Sequence, residues 1–290
     1  VPTIAEEMRA RWKRRPKAFH KGDFGRVFIL AGSEGFSGAA HLASAACVRS
    51  GAGLVTLGVP EKIYPVLARR ESEVMVKPFA STPEGTLHPK ALVSILNFAE
   101  TQDVIALGPG LSRHAGTQRL IREIVLKTFQ PVVIDADGLN AFREKPELLR
   151  KASGRTLLTP HPGEFVRLFG GVLRDSDSLR KKRAKTVAKS CGAVVLLKGY
   201  RSVIASPGGL LYVNATGNPG MATGGTGDVL TGILASLIGQ KFSLWDSARY
   251  GAYVHGLAGD LAARRIGQVS LKAGDLIEYL PQAFKRTLRW

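Results

Sequence analysis

The segment NATGNPGMATGGTGDVLTG (residues 214–232) contains Gly217, Gly220, Gly224, Gly225, Gly227 and Gly232, with Asp228 between the last two, and runs into an apolar stretch. Glycine is costly to order, so this density calls for a close approach to bare backbone. The first amides of a helix lack internal partners, and the aligned peptide dipoles add positive potential there. Gly224, Gly225 and Gly227 remove side-chain obstruction, so the amides from Gly225 through Thr226 and Gly227 to Asp228 form a plausible hole for a phosphate or another anion. The pattern is neither GxxxxGK[ST] nor GxGxxG. A tight turn with Asp228 as a helix cap is the plainer alternative. The dipole lowers the proton affinity of a carboxylate at this position. Beside a substrate hydroxyl, Asp228 could still accept a proton as phosphoryl transfer develops, while the amides stabilise charge on the transferred group.

Further candidates are dispersed along the chain. In TPHPGEF two prolines preset a loop around His161, with Glu164 near the following helix start. An isolated histidine is usually a core or surface residue, but this setting favours ligand contact. Glu164 could orient the loop, cap the helix or position a hydrated cation. In LKGYRSVI, Lys198 ends a strongly apolar run and could equally be a solvated strand terminus, while Ser202 offers a hydroxyl. DADGLN places Asp135, Asp137 and Asn140 in a short turn. Their oxygens could support Mg2+ or a nucleotide, or simply stabilise the turn, since the spacing is no dedicated metal motif. Gly108 and Gly110 of GPGL suit close backbone approach. Asn214 and Asn218 bracket a glycine turn, where local capping accounts for them. The six histidines and two cysteines give no zinc set, and Cys47 and Cys191 read as buried structural thiols.

These residues need a scaffold, and the chain supplies an alternating one. Short apolar runs at 26–32, 53–59, 103–108, 131–137, 156–160 and 193–199 predict strands, several apolar on both faces as in a covered parallel sheet. Helices are predicted over 39–49, 88–99, 117–127, 176–190, 227–238 and 244–265. In SVIASPGGLLYV, Gly208 and Gly209 separate two short apolar runs, which predicts an antiparallel hairpin near the sheet edge. The expected architecture is α/β: one three-layer domain over 21–290 with a mostly parallel central sheet, preceded by a basic extension over 1–20. Ligands bind such sheets outside the C-terminal strand ends, where the glycine, aspartate and histidine motifs fall.

Composition narrows the function classes. Of 290 residues 44% are hydrophobic and 22% charged, the balance of an ordinary globular protein, and no run reaches the length of a spanning helix. The first twenty residues lack the apolar core of a secretion signal, so a cytoplasmic location is expected. Net charge is +18, from 41 basic and 23 acidic residues. The basic residues cluster at Arg9–Lys17 and in RKKRAK (Arg180–Lys185), without the interleaved aromatics of a single-strand binding platform. The second cluster is expected to be a solvated helix face, with Ala184, Val187 and Ala188 turned inward. The basic character is compatible with anionic small-molecule ligands, and nucleic acid is not expected.

The ordered set GSEGFSGAAHLASAACVRSGAGLVTLGVP, ALGPGLS, VVIDADGLN, LLTPHPGEFVRLFG, VVLLKGYRSVI and NATGNPGMATGGTGDVLTGILASLIGQ resembles the ADP- or ATP-dependent NAD(P)H-hydrate dehydratases, a branch of the ribokinase-like superfamily. It runs from about residue 20 to residue 240. The resemblance implies a ribokinase-like fold and a lyase that repairs hydrated NADH or NADPH (NADHX, NADPHX). A nucleotide, with ADP the expected donor, phosphorylates the hydroxyl of the damaged ring, and phosphate then leaves where hydroxide would not. Carried over residue by residue, it puts Lys198, Gly199, Tyr200, Arg201 and Ser202 at the nucleotide, with Gly225, Thr226 and Gly227 at its phosphates. It puts Ala39, Gly110 and His161 at the hydrated cofactor, and Asp228 at the reacting hydroxyl. Asp137, Asn140, Glu164, Asn214 and Asn218 are secondary candidates. Mg2+ is expected with the nucleotide, and relatives often form tetramers. Many relatives carry a fused epimerase domain. The first twenty residues are too short to hold one, so a separate epimerase is expected to interconvert the hydrates.

Two other functions fit parts of the pattern. An alcohol kinase of the same fold would share Asp228 and the anion hole but accumulate a phosphoester. A non-catalytic nucleotide- or nucleic-acid-binding protein would show no nucleotide-dependent turnover.

Overall fold

The computed structural model describes residues 2–12, 18–173 and 176–289. Nine strands form one sheet: β1 (Arg26–Leu30), β2 (Leu54–Pro60), β3 (Met75–Phe79), β4 (Val104–Leu107), β5 (Val132–Ile134), β6 (Thr156–Leu158), β7 (Val194–Leu197), β8 (Val203–Ala205) and β9 (Leu211–Val213). Their order is β3-β2-β1-β4-β5-β6-β7-β8-β9. Every pair from β3 to β7 is parallel, while β8 and β9 close the edge as an antiparallel hairpin through the turn at Gly208 and Gly209.

The strands are apolar on both sides because both sides are covered. Phe28, Leu30, Ile105, Leu107, Val195 and Leu197 face one core, and Val27, Ile29, Val104, Ala106, Val194 and Leu196 face the other. Over the first lie α4 (Leu92–Ala99), α5 (Ala115–Lys127), α7 (Pro162–Phe169) and α8 (Asp177–Cys191). Over the second lie α2 (Ser37–Arg49), α3 (Tyr64–Arg70), α9 (Thr226–Gly239) and α10 (Leu244–Ile266). Behind α9 and α10, a third apolar cluster seats α11 (Ala273–Leu288) and α1 (Ile4–Arg11). The layered α/β expectation therefore holds.

Several elements differ from the reading of the sequence. β3 escapes the sequence reading because MVKPF is short and is interrupted by Lys77 and Pro78, features suited to the exposed edge strand it forms. The run at 131–137 yields a strand of only three residues, because Asp135 leaves the sheet and a short helix, α6 (Ala136–Asn140), begins at once. The basic first twenty residues include a docked helix. Met8 of α1 is fully buried, Glu7 pairs with Arg249 at 2.8 Å, and Arg11 pairs with Asp246. Of the cluster Arg9–Lys17, residues 13–17 lie outside the described residues. Both cysteines are buried and free, and among the described residues no helix is long and apolar enough to cross a membrane.

Candidate active site

The strand order reverses between β1 and β4, and there the loops leaving the two strands are tied together by the Gly32 amide donating to the Pro109 carbonyl at 2.8 Å. Such a switch point is a natural crevice in a parallel sheet. Gly110 (φ +63°) lies in it with Ala39 of α2: a Cβ added to Gly110 would stand 3.2 Å from the Ala39 methyl carbon and 2.8 Å from Phe36 Cβ. Ser33 Oγ donates to the Gly110 carbonyl at 2.7 Å. Phe36, at the head of α2, is 58% exposed beside them and was not singled out from the sequence.

Along the same edge, β5, β6 and β7 deliver Asp135, the His161 loop and Lys198. The Lys198 ammonium lies 2.6 Å from Asp135 Oδ1 and 3.9 Å from Glu164 Oε2, and Thr231 of α9 donates to Asp135 Oδ2 at 2.8 Å. Burial works against the Lys198 charge, but Asp135 and Glu164 overcome it and hold its pKa above the ordinary lysine value. His161 is the N-cap of α7. Its Nδ1 accepts from the amides of Gly163 (3.0 Å) and Glu164 (3.3 Å), while Glu164 Oε2 accepts from the His161 amide at 2.8 Å. An accepting Nδ1 leaves the proton on Nε2, which points to Glu164 Oε1 at 3.4 Å. Burial, reinforced by Lys198, holds the imidazole below the usual histidine range despite Glu164.

Asp137 and Asn140 support the turn. The Ser112 amide donates to Asp137 Oδ2 at 2.9 Å and the Asn140 amide group to Asp137 Oδ1 at 3.1 Å.

The glycine-rich segment ends as α9 begins at Thr226, with Gly225 (φ +91°) as N-cap. Gly225 faces Leu42 and Ala273, so its missing side chain serves helix packing. Gly227 faces the chemistry: a Cβ there would lie 3.4 Å from Lys198 Nζ and 3.8 Å from Asp135 Oδ2. Asp228 follows, half-buried. The dipole argument predicts a lowered pKa, and the structure corrects it. Burial first, then the Asp135 carboxylate, push Asp228 up to about 7, with Lys198 pulling the other way and Asp137 and Glu164 adding to the rise. Three nearby carboxylates and partial exclusion of water outweigh a helix terminus.

Beside this rim opens a cavity of about 440 Å³. Lys198, Gly199, Tyr200, Arg201, Ser202, Thr226 and Gly227 line it, together with Asn214 and Asn218. Tyr200 is 85% exposed at the cavity, an aromatic face open to a ring. Ser202 Oγ donates to the Gly199 carbonyl at 3.1 Å. Buried Asn214 donates to the carbonyls of Thr216 and Ala252, each at 3.1 Å, and Asn218 accepts from the Gly220 amide and donates to Asp260. Those two asparagines shape the wall through local bonds.

Besides Phe36, two contributors are not recognisable in the sequence. His255 of α10 lines the cavity, and its Nε2 lies 2.9 Å from the Thr226 carbonyl, so it must donate there. Burial pushes its pKa down to about 4, which keeps it neutral. Arg180 of α8, expected on a solvated face, is buried instead. Its guanidinium donates to the Tyr200 carbonyl at 2.6 Å and approaches that of Lys198 at 3.5 Å. Ala184, Val187 and Ala188 are buried as expected.

Lysine, bare helix amides, a raised-pKa carboxylate and an aromatic-edged cavity thus meet at the C-terminal strand ends. Against known proteins, the NAD(P)H-hydrate dehydratase family model matches residues 27–282. The chain belongs to that family. A bifunctional NAD(P)H-hydrate repair enzyme of Moorella thermoacetica is 45% identical over 277 residues, which cover 96% of this chain and 52% of the relative. Its counterpart in Escherichia coli is 37% identical over 97% of this chain and 52% of its own length. The chain spans about half the length of the curated relatives it matches. Among solved structures, the ADP/ATP-dependent NAD(P)H-hydrate dehydratase of Bacillus subtilis, co-crystallised with ATP and Mg2+, is similar with a TM-score of 0.81 at 30% identity, covering 98% of this chain and 97% of that one. Phosphofructokinase-2 of Escherichia coli, at a TM-score of 0.61 and 13% identity, shares the ribokinase-like fold alone.

Among the described residues no group of three or more His, Cys, Asp or Glu side chains could cage a metal. Mg2+ needs no such cage, since it commonly keeps its waters and takes one or two carboxylates with nucleotide phosphates. The rim carboxylates Asp135, Asp137 and Glu164 fit that demand.

Proposed function

We propose that the chain catalyses nucleotide-dependent dehydration of NADHX and NADPHX, with ADP as the preferred donor, restoring NADH or NADPH and releasing phosphate. The observation that carries this reading is the place of Asp228, half-buried in the first turn of α9 next to Gly227, whose missing side chain leaves the helix start open toward Lys198 Nζ and Asp135 Oδ2. In it, the nucleotide occupies the cavity beside Tyr200, and its terminal phosphoryl group meets the α9 amides and Lys198. The hydrated ring lies toward Ala39, Gly110 and His161.

Asp228 accepts the hydroxyl proton as the hydroxyl oxygen bonds to phosphorus and the nucleotide leaves with the bridging oxygen. Phosphate then departs with the carbon–oxygen electron pair, and loss of a ring proton restores the double bond. Lys198 and the amides hold the charge that develops on the transferred group. Mg2+, held at Asp135, Asp137 or Glu164, would neutralise phosphate charge when bound. The expected homo-oligomer belongs to the same reading and is measured by light scattering.

The test is a matrix of ADP and ATP against hydrated NADH and NADPH, followed by recovery of reduced-cofactor absorbance and by free phosphate. Stoichiometric phosphate release with restored absorbance supports dehydration. A stable phosphoester would mean an alcohol kinase, and absence of nucleotide-dependent turnover would reject catalysis of this type.

A further inference from the structure

The Arg180 guanidinium is unusual in three respects. It is buried, it makes no ion pair with a carboxylate among the described residues, and it sits in the first turn of α8, where the helix dipole disfavours a cation. Among the described residues its compensation is backbone oxygen: the carbonyls of Tyr200 and Lys198. Gly199 lies between those two residues with φ +134°, and a Cβ there would come within 3.2 Å of Arg180 Nη2, so the arginine packs directly behind the cavity wall. One residue further on, Arg201 holds a left-handed conformation (φ +52°) and pairs with Asp177 at 3.0 Å. Asp177 opens the same helix. The Lys198–Ser202 loop is therefore pinned to one turn of α8 by the two-pronged Arg180 contact and by the Asp177–Arg201 pair.

We infer that Arg180, with Asp177, is a positioning residue for the nucleotide donor: it fixes the loop that forms one wall of the cavity and places a positive charge behind it. This rests on the proposed nucleotide site but assigns residues and a helix that the reading leaves unused. A rigid fork to two carbonyls is a geometry that lysine cannot reproduce. Among the described residues no carboxylate pairs with Arg180, so its charge also favours an anionic occupant.

Binding of ADP and of ATP with Mg2+ is measured by calorimetry on the whole chain, alongside hydrate KM, kcat and Tm. For Arg180→Lys the expected result is nucleotide affinity about tenfold weaker, with hydrate KM at saturating nucleotide and kcat changed less than about twofold. Asp177→Asn, at a partly exposed site, should weaken nucleotide binding about threefold with Tm unchanged, and it decides the matter if the Arg180 variant does not fold. Undiminished nucleotide affinity in both variants, or equal losses toward nucleotide and hydrate, overturns the inference while leaving the functional reading intact. A wild-type chain that binds nucleotide in an Arg180-dependent way but does not turn over hydrates supports the inference and rejects dehydration. A wild-type chain that binds neither nucleotide rejects both.

Discussion

Lys198 and Asp135 form a buried pair across the ends of two strands, with Nζ 2.6 Å from Oδ1. The second Asp135 oxygen is held by Thr231, so the pair also ties α9 to the sheet. Removing the lysine strands a buried carboxylate. Lys198→Met is expected to cost about 3–5 kcal/mol, the range for breaking one side of a buried pair. Adding Asp135→Asn should recover much of that stability but not nucleotide affinity, because the cation proposed to meet the phosphate stays lost. Denaturation of the single and double variants, with nucleotide titrations, checks both halves. Restored nucleotide binding in the double variant would remove Lys198 from the site.

Asp228 gives a pH prediction with a definite sign. Only its ionised form accepts a proton, so kcat/KM should fall as pH drops through about 7. Asp228→Asn should lower kcat by at least about a hundredfold while nucleotide binding persists. Stability moves the other way. The folded pKa lies above the unfolded value, so the stability this group contributes is present below the unfolded pKa and lost as pH rises through the folded one. The Asn variant should therefore melt about 2–4 °C above wild type near pH 8, with the gap closing toward pH 5. A variant that melts lower at alkaline pH would contradict the buried-charge account.

His161 has two separable roles. Its Nδ1 caps α7, and its Nε2–H faces Glu164 at the rim. His161→Ala should lose about 1 kcal/mol of capping and raise the KM for the hydrate. His161→Asn keeps a short acceptor at the cap and should recover the stability without the KM. If asparagine restores both, the histidine serves α7 alone.

Much of this site was legible because its strands are buried on both faces and read as plain apolar runs, with the chemistry at their ends. The start of α9 was legible as the end of the glycine run, but only Gly227 of that run faces Lys198 and Asp135, while Gly225 packs against Leu42 and Ala273. Three features were not. Arg180 lies four residues before Ala184 on the inward stripe that continues to Val187, Ala188 and Cys191. The periodicity was present, but a cation next to two lysines reads as solvated. His255 sits among small and apolar residues of a long helix, where nothing local separates a cavity wall from a core position. The raised pKa of Asp228 comes first from burial and then from Asp135, Asp137 and Glu164, which are remote in sequence, so no reading of GGTGD alone could have given its sign.

Two glycines of α9 should respond oppositely to the same methyl group. At Gly232 a Cβ would fall 2.1 Å from the Ala43 carbonyl oxygen, so Gly232→Ala must push α2 and α9 apart. The expected cost is about 1–3 kcal/mol of overpacking, read as a lower Tm. At Gly227 the nearest atom to the added methyl is Lys198 Nζ at 3.4 Å, a tolerable contact, and alanine is the better helix former. Gly227→Ala should leave Tm unchanged or slightly raised, while the methyl occupies the approach to the amides and weakens ADP and ATP binding about tenfold. Calorimetry and thermal melts of the two variants separate the effects. Full donor affinity in Gly227→Ala would mean that phosphate does not come to this helix start.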